Sequence, residues 1–261
     1  MKKLEKKNKG GLWNATFGEL IATFQILEKN GFTLEMLKQL REKGGEEKAK
    51  KIVAIFLGTL STEINYEALK TDWQNFYAKY FFHSVNLSAV KIPTPIKGFN
   101  RLLIIIPGIF PNHVVIAQRR CFKTVVFTED PHAEDLNKAI SHNDRDALNG
   151  PYAIWVHDTI EPDQKYLGRS AVWAKANQIS GETLLESLIH GLKYWDEKKK
   201  HLNIKRVMVC IGSHDSEGNV PIVSFYLASD RVTISWSRPD RADDCHGLRE
   251  VVSCVRYGLQ Y

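Results

Sequence analysis

The stretch that decides the fold runs from Gly181 to Ser237 and reads GETLLESLIHGLKYWDEKKKHLNIKRVMVCIGSHDSEGNVPIVSFYLASDRVTISWS. Between Thr183 and Trp195, apolar residues recur at helical spacing, and lysines follow where the negative end of a helix dipole favours cations. Three apolar runs come next, which are Ile204–Ile211, Val220–Leu227 and Arg231–Ser237. The stretch predicts one long helix followed by three strands, of which the last two form a hairpin.

The segment before this stretch predicts further strands and one helix. Arg101–Ile106 is a continuous run of β-branched residues and leucine, which is typical of a strand covered on both faces. Pro111 suits the first turn of a helix, and Lys123–Phe127 and Tyr152–Val156 read as two more strands. The order β-α-β-β-α-β-β-β predicts an α+β sandwich with helices on one face of a mostly antiparallel sheet.

The first third of the chain has the pattern of four amphipathic helices, which we expect to pack as a small bundle. Three of them begin near Phe17, Thr33 and Glu46, and the fourth carries an aromatic face between Tyr66 and Tyr80. The segment KIPTPIKGFN then reads as a linker, because its two prolines disfavour a helix. We therefore predict a helical bundle with a basic tail over residues 1–90, a linker over 91–100 and a sandwich domain over 101–261.

Composition limits the class of protein. The chain has 261 residues, of which 43% are hydrophobic and 25% charged, as in a soluble globular protein. Its longest apolar stretch, Leu102–Phe110, is far shorter than a bilayer span. The N-terminus MKKLEKKNKGG has no apolar segment behind it, which predicts a cytoplasmic protein with no membrane partner. Cys121 and Cys210 lie in apolar surroundings and are expected to be buried thiols. Cys245 and Cys254 lack Cys-x-x-Cys spacing, so we expect no metal and no cofactor, with a metal site at Cys245 and His246 as the alternative.

The charge of the chain points to an acidic partner. Its net charge is +6 and its isoelectric point about 9.0, which suits nucleic acid or a nucleoprotein. The second and third helices, joined through Gly44 and Gly45, have helix-turn-helix dimensions. The cations expected to contact phosphates are Lys38, Arg41, Lys48, Lys50 and Lys51. The alternative is that these side chains only solvate exposed helix faces, as charge runs commonly do.

Loops rich in histidine and aspartate suggest a second chemistry. If they met at one edge of the sheet, they would bind a metal ion and activate water for phosphodiester cleavage. The residues of this alternative catalytic set are His157, His214, Asp243, Asp244 and His246. The simpler interpretation is that the aspartates serve turns and the charged loop a solvated network. The motifs of nucleotide hydrolases, serine hydrolases and zinc proteases are absent from the sequence.

Several strings resemble those of a protein family found in candidate-phylum bacteria with small genomes. They are GPYAIWVHDTIEPD, GETLLESLIHGLKYWDEKKKHLNI and VCIGSHDSEGNVPIVSFYLASDRVTISWSRPD, and the resemblance covers residues 101–254. It implies one α+β module that recurs with different N-terminal attachments, and it implies no activity, cofactor or catalytic residue. The chain departs from the family at His157, where the family tends to carry arginine.

Taken together, these patterns predict a non-catalytic binding or accessory protein that acts on nucleic acid or a nucleoprotein complex. One alternative is a metal-dependent hydrolase, a phosphodiesterase or nuclease, that uses the histidine and aspartate loops. The other is a protein–protein interaction module, which a mixed-charge surface on the third helix would favour.

Overall fold

A computed structural model describes residues 15–42, 44–56, 64–127 and 135–254. The chain divides into two compact units, Met1–Ile64 and Asn65–Tyr261. The basic tail MKKLEKK lies outside the described residues, as does the side chain of Lys51.

The described part of the first unit consists of three helices. They are α1 (Phe17–Lys29), α2 (Leu34–Gln39) and α3 (Gly45–Phe56). Thr16 begins α1 with a capping box to Glu19, and Thr33 caps α2 through its hydroxyl group, which satisfies amide groups that a helix start leaves unpaired. None of the residues of α1 and α2 is buried. The predicted helices are present, whereas the predicted bundle packing is not confirmed.

The second unit contains the remaining described helices and all the described strands. Its helices are α4 (Tyr66–Phe81), α5 (Pro111–Arg119), α6 (Leu136–Ala139), α7 (Ala171–Ala176) and α8 (Leu184–Lys198). Its strands are β1 (Phe99–Ile105), β2 (Lys123–Val126), β3 (His142–Asn143), β4 (Tyr152–His157), β5 (Val207–Val209), β6 (Ser213–His214), β7 (Val220–Tyr226), β8 (Arg231–Ser237), β9 (His246–Gly247) and β10 (Val252–Ser253).

The strands form separate sheets rather than the single sheet that the sequence predicted. One sheet has the order β1-β4-β10 and is antiparallel throughout. A second sheet has the order β2-β8-β7-β5-β9. Each of its edge strands, β2 and β9, runs parallel to its inner neighbour, whereas the inner strands β8, β7 and β5 are antiparallel to one another. A short antiparallel pair joins β3 to β6. The α+β class with antiparallel sheets is confirmed, and so is the hairpin of β7 and β8.

Helix α8 explains why the strands separate. It contacts β1 of the first sheet and β7 of the second, so it lies between them. Nine of its fifteen residues are buried, among them Leu188, Ile189 and Leu192 and also the polar Glu186 and His190. A helix that is covered on most of its surface needs packing partners on more than one side, and two sheets supply them.

Helix α4 belongs to the second unit, although the sequence assigned it to the N-terminal bundle. Its aromatic residues Trp73, Phe76 and Tyr77 are buried. The Tyr77 hydroxyl donates to the Ile104 carbonyl over 2.6 Å, which fixes α4 to a neighbouring strand. The broad aromatic face therefore contributes to the core of the α+β unit, a packing choice that helical periodicity alone does not reveal.

Candidate functional site

The predicted DNA-contacting cations of the first unit lie next to polar partners of the same unit. The described contacts are Lys38 Nζ to Glu35 at 3.4 Å, Lys48 Nζ to Gln39 Oε1 at 3.2 Å, and Lys50 Nζ to Glu46 at 3.2 Å and Glu47 at 3.1 Å. Arg41 is exposed. The described part of α3 thus has a surface of mixed charge, on which glutamates compensate the lysines. Binding through these residues stays a prediction.

The first unit also exposes a row of apolar side chains. Phe17, Ile21 and Phe24 are 79%, 41% and 47% exposed, and their spacing places them along one side of α1. Exposed apolar rows mark interaction surfaces in soluble proteins. This observation agrees with the protein–protein alternative, which also stays a prediction.

The loops of the predicted hydrolytic set have different neighbours. His157 Nδ1 lies 3.0 Å from Asp163 Oδ1, and its ring packs 4.0 Å from that of Phe99. The His214 ring stacks at 4.7 Å on His142, its partner across the β3–β6 pair. Among the described residues, neither His157 nor His214 joins a group of three candidate metal ligands. The convergence on which the hydrolase hypothesis depends is therefore not found in the described part of the chain.

Two members of that set do meet, together with a cysteine. Candidate ligand atoms of Asp243, Cys245 and His246 all lie within 4.8 Å of one another, and Asp244 is not part of the group. His246 is buried and Cys245 is exposed. Burial lowers the pKa of His246, because removal from water disfavours the charged ring.

Three deeply buried ionisable groups lie close together at α8 and beside it. Glu182, His190 and Arg249 are each 1% exposed. Glu182 Oε1 lies 2.8 Å from His190 Nδ1 and 3.9 Å from Arg249 Nε. Burial raises the pKa of Glu182 to about 7 and lowers that of His190 well below its usual value. Because solvent scarcely reaches these groups, we assign them to the stability of the unit rather than to chemistry on a substrate.

A second buried pair lies one helical turn further along. Arg145 donates to Glu186 from Nε over 2.8 Å and from a terminal nitrogen over 2.7 Å, a two-pronged pairing that Arg makes well with carboxylates. The Tyr152 hydroxyl donates to the same carboxylate over 2.9 Å. This network connects the loop before β4 to the start of α8, so its role is also structural.

A small cavity lies between α5, α8 and the β7–β8 hairpin. Its volume is about 20 Å³, and its lining includes Gln118, Ser187, Asn203 and Ser224. That space holds about one water molecule and is far smaller than the pockets that bind small-molecule ligands.

The C-terminal ends of α4, α5 and α8 meet at the surface. Lys79 Nζ near the end of α4 lies 2.6 Å from Asp196 on α8. Arg120, which follows α5, donates to the Tyr80 carbonyl on α4. The Phe122 ring packs 5.4 Å from that of Trp195. Because a helix dipole is negative at its C-terminus, three such ends together attract cations.

Cations and aromatic rings alternate where these helices end. Arg120 lies 5.3 Å from the centre of the Phe82 ring, and Lys199 Nζ lies 4.0 Å from that of Trp195, both within the range of a cation–π contact. We call this surface the helix-end face and define it by Lys79, Phe82, Arg120, Trp195 and Lys199. Lys198 and Lys200, which flank Lys199 in the chain, are exposed as well.

Charge on the helix-end face is predominantly positive. Asp196 is its partner carboxylate; burial acts to raise the Asp196 pKa, but hydrogen bonds from Lys79 and Tyr80 outweigh this and hold the pKa below its usual value. The Cys121 thiol lies among the same groups. Burial raises the pKa of Cys121, while Arg120, Lys199 and Lys79 act against that rise. Two cations, Lys79 and Lys199, pair with Asp196, whose side chain is 19% exposed.

The backbone of this face is unusual at two points. Phe82 and Lys199 end α4 and α8 in the left-handed conformation, with φ of 55° and 53°. Glycine is the residue that helices favour there, because a side chain in this conformation costs about 1 kcal/mol or more. Phe82 is nevertheless 82% exposed, so packing offsets little of that cost.

This face does not follow from the sequence, although the sequence carries one signal of it. The lysine run after Trp195 is typical of the end of a single helix, whose dipole it complements. That α4 and α5 end beside it follows from tertiary packing alone.

No protein-family profile matches the chain, and no curated protein or solved structure matches it either. The resemblance to the candidate-phylum family stays a sequence-based expectation. Within the described residues, no helix is long and apolar enough to cross a membrane.

Proposed function

We propose that this chain is a non-catalytic, nucleic-acid-binding protein that contacts single-stranded nucleic acid through the helix-end face. The observation that carries the proposal is the interleaving of Arg120 and Lys199 with the rings of Phe82 and Trp195 on one exposed surface. Proteins that bind single strands combine cations that follow the phosphates with aromatic rings on which bases stack.

The chemistry favours a single strand over a duplex. A base in a duplex is already stacked on its neighbours, whereas an unpaired base offers a free face to a protein ring. Phe82 is 82% exposed and is available for such a contact. Lys198, Lys199 and Lys200 are exposed beside it, where they would neutralise successive phosphates.

Stabilisation of helix dipoles accounts for only part of this surface. It explains why lysines follow α8, but not why an exposed phenylalanine occupies a left-handed helix end. Residues held in costly backbone conformations are concentrated at functional sites. Phe82 and Lys199 therefore support a function of this face beyond stability.

The helix-end face is a better candidate than the helix pair of the first unit. On α3 the Lys50 amine contacts both Glu46 and Glu47, so a phosphate would have to compete with two carboxylates. On the helix-end face, Asp196 is mostly buried and leaves the cations in excess. An excess of positive charge is what the phosphate backbone requires.

Fluorescence anisotropy with a labelled single strand of about 12 nucleotides tests this proposal, since binding sites of this kind span roughly 4–16 nucleotides. We expect binding at low salt with a log–log salt slope of about −2 to −3, because each neutralised phosphate contributes about −0.7. The variant Arg120→Ala/Lys199→Ala should bind at least ten-fold more weakly than the wild type.

The variant Lys48→Ala/Lys50→Ala is the matched control, because it removes two lysines from the first unit and leaves the helix-end face intact. We expect its affinity to stay within about two-fold of the wild type, since Lys50 already pairs with two glutamates and Lys48 contacts the Gln39 amide. If only this control lost binding, the assignment to the helix-end face would be overturned, and the binding surface would be the helix pair α2 and α3 that the sequence predicted. Failure of the wild type to bind at low salt would overturn the nucleic-acid proposal itself.

A further inference from the structure

A tight turn before β9 brings three different metal-ligating side chains together. The amide of His246 donates to the carbonyl of Asp243 over 2.8 Å and closes the turn Asp243–His246. Side chains at neighbouring positions of an extended strand point to opposite sides, whereas this turn directs those of Cys245 and His246 toward one another. Their candidate ligand atoms and that of Asp243 lie within 4.8 Å of one another.

The spacing of these atoms is close to that of a metal site. Zinc binds nitrogen and oxygen at about 2.0–2.2 Å and sulfur at about 2.3 Å in tetrahedral geometry, which separates neighbouring ligand atoms by roughly 3.3–3.8 Å. His246 Nε2 lies 3.7 Å from Asp243 Oδ2. That separation is too long for a hydrogen bond and matches two ligands of one ion.

The imidazole of His246 lacks the contacts of a structural histidine. The residue is 4% exposed, and its Nδ1 is buried with no hydrogen-bond partner among the described residues. Its Nε2 is directed toward Asp243 without reaching hydrogen-bond distance. Buried polar groups that serve structure are almost always hydrogen-bonded, so the unpartnered Nδ1 shows that no hydrogen bond among the described residues holds this ring. Nε2, the nitrogen that faces Asp243, is the one placed to share an ion with it.

Neighbouring groups suit a bound cation. Arg241 Nε donates to Asp243 Oδ2 over 2.7 Å, as groups around a metal site commonly do to orient a carboxylate ligand. The oxygen that Arg241 contacts is also the one that faces His246, and Arg241 is 58% exposed and has room to move aside when a cation binds there. Cys245 is exposed, so the thiol is accessible to an ion from solvent.

We propose that Asp243, Cys245 and His246 form a binding site for a zinc-class transition metal. A thiolate, an imidazole and a carboxylate are the ligand types that zinc prefers, whereas magnesium and calcium prefer oxygen alone. Three protein ligands leave the fourth tetrahedral position to water or to a ligand atom from a partner. The site is independent of the helix-end face and does not rest on nucleic-acid binding.

Titration of the chelator-treated full chain with Co²⁺ tests the site, because cobalt replaces zinc and reports a thiolate ligand by absorption. We expect one equivalent to bind with a sulfur-to-cobalt charge-transfer band, and Zn²⁺ to displace it. Cys245→Ser should abolish the band while the thermal unfolding curve stays unchanged, since Cys245 is exposed. His246→Gln should weaken Co²⁺ binding at least ten-fold.

Cys254→Ser is the matched control, because Cys254 is also exposed and lies outside the group of three ligands. The charge-transfer band should persist in this variant. The proposal is overturned if the wild type shows no such band, or if the band survives in Cys245→Ser. A band that disappears in Cys254→Ser instead would move the metal to another site and equally overturn the proposal.

Discussion

Phe82 and Lys199 end two different helices in the same left-handed conformation, with φ of 55° and 53°, and both lie on the helix-end face. Each of the two residues takes part in a cation–π contact. Arg120 lies over the Phe82 ring, and Lys199 lies over the Trp195 ring. Because glycine fits this backbone better, we expect the two side chains to cost stability on the surface that we propose for binding.

Two adjacent lysines should therefore respond to glycine in opposite ways. Lys199→Gly relieves a left-handed backbone, so we expect the free energy of unfolding to rise by about 0.5–1 kcal/mol. Lys198→Gly places glycine within α8 and should lower it by up to about 1 kcal/mol. Urea denaturation of both variants measures the difference. Equal destabilisation would show that the left-handed end of α8 is not strained.

Phe82 and Arg120 should contribute to binding in distinguishable ways. Phe82→Leu removes a stacking surface and keeps the charge, so the affinity for a single strand should fall about five- to fifty-fold with an unchanged salt slope. Arg120→Ala should make the salt slope shallower by about 0.7, the contribution of one phosphate contact. Anisotropy measured at several salt concentrations separates the two. A changed salt slope in Phe82→Leu would contradict the stacking role.

The buried carboxyl of Glu182 should make stability depend on pH. Burial raises its folded-state pKa to about 7 from an ordinary value of 4.5, so the stability it contributes is present below about pH 4.5 and is lost as the pH rises through about 7. Glu182→Gln imitates the protonated form. We expect this variant to gain about 2–3 kcal/mol relative to the wild type between about pH 5 and pH 8.

Chemical denaturation of the wild type and of Glu182→Gln at about pH 5 and about pH 8 measures this gain. The buried His190 acts in the opposite sense, because its lowered pKa means that stability is lost as the pH falls below about 6.5. It is present in both proteins, but because it contacts Glu182, the measured gain reports the pair rather than Glu182 alone. Glu217→Gln, at an exposed position, is the control; it keeps Glu182 and should show no such gain over the wild type.

Breaking the Arg145–Glu186 pair should lower the stability of the unit strongly, whereas replacing both residues with apolar ones should lower it less. Arg145→Met leaves the Glu186 carboxylate, which is 0% exposed, without its main counter-charge, and we expect a loss of about 3–5 kcal/mol. The double variant Arg145→Met/Glu186→Leu removes both charges and should recover at least half of that loss. Thermal and urea unfolding report both values. A double variant as unstable as Arg145→Met alone would refute this explanation.

Local structure followed closely from the sequence. The first two helices begin where the sequence predicted, at Phe17 and just after Thr33, and the long helix predicted between Thr183 and Trp195 is present as α8. The β7–β8 hairpin turns at Ser229 and Asp230, where Asp230 adopts a left-handed conformation. Such features depend on residues only a few positions apart, so the pattern of neighbours is sufficient to predict them.

The candidate sites could be predicted from the sequence much less well than the local structure. The sequence drew attention to Asp243 and His246, but it grouped them with His157 and His214, which have other neighbours in the described structure. The sequence also predicted that the fourth helix belongs to the N-terminal bundle, although Tyr77 of this helix is hydrogen-bonded to Ile104 of the α+β unit. The periodicity of apolar residues predicts that one face of a helix is buried, but it does not identify the element that covers this face.

The sequence by itself determined the α+β class, most of the helices and strands, and the positive charge of the chain. Only the tertiary structure decided that α8 lies between two sheets and that the ends of three helices meet near Asp196. The physical reason is one of range. Hydrogen bonds of helices and turns, including the turn that carries Asp243, Cys245 and His246, form between near neighbours in the chain, whereas a surface depends on contacts between residues that packing alone brings together.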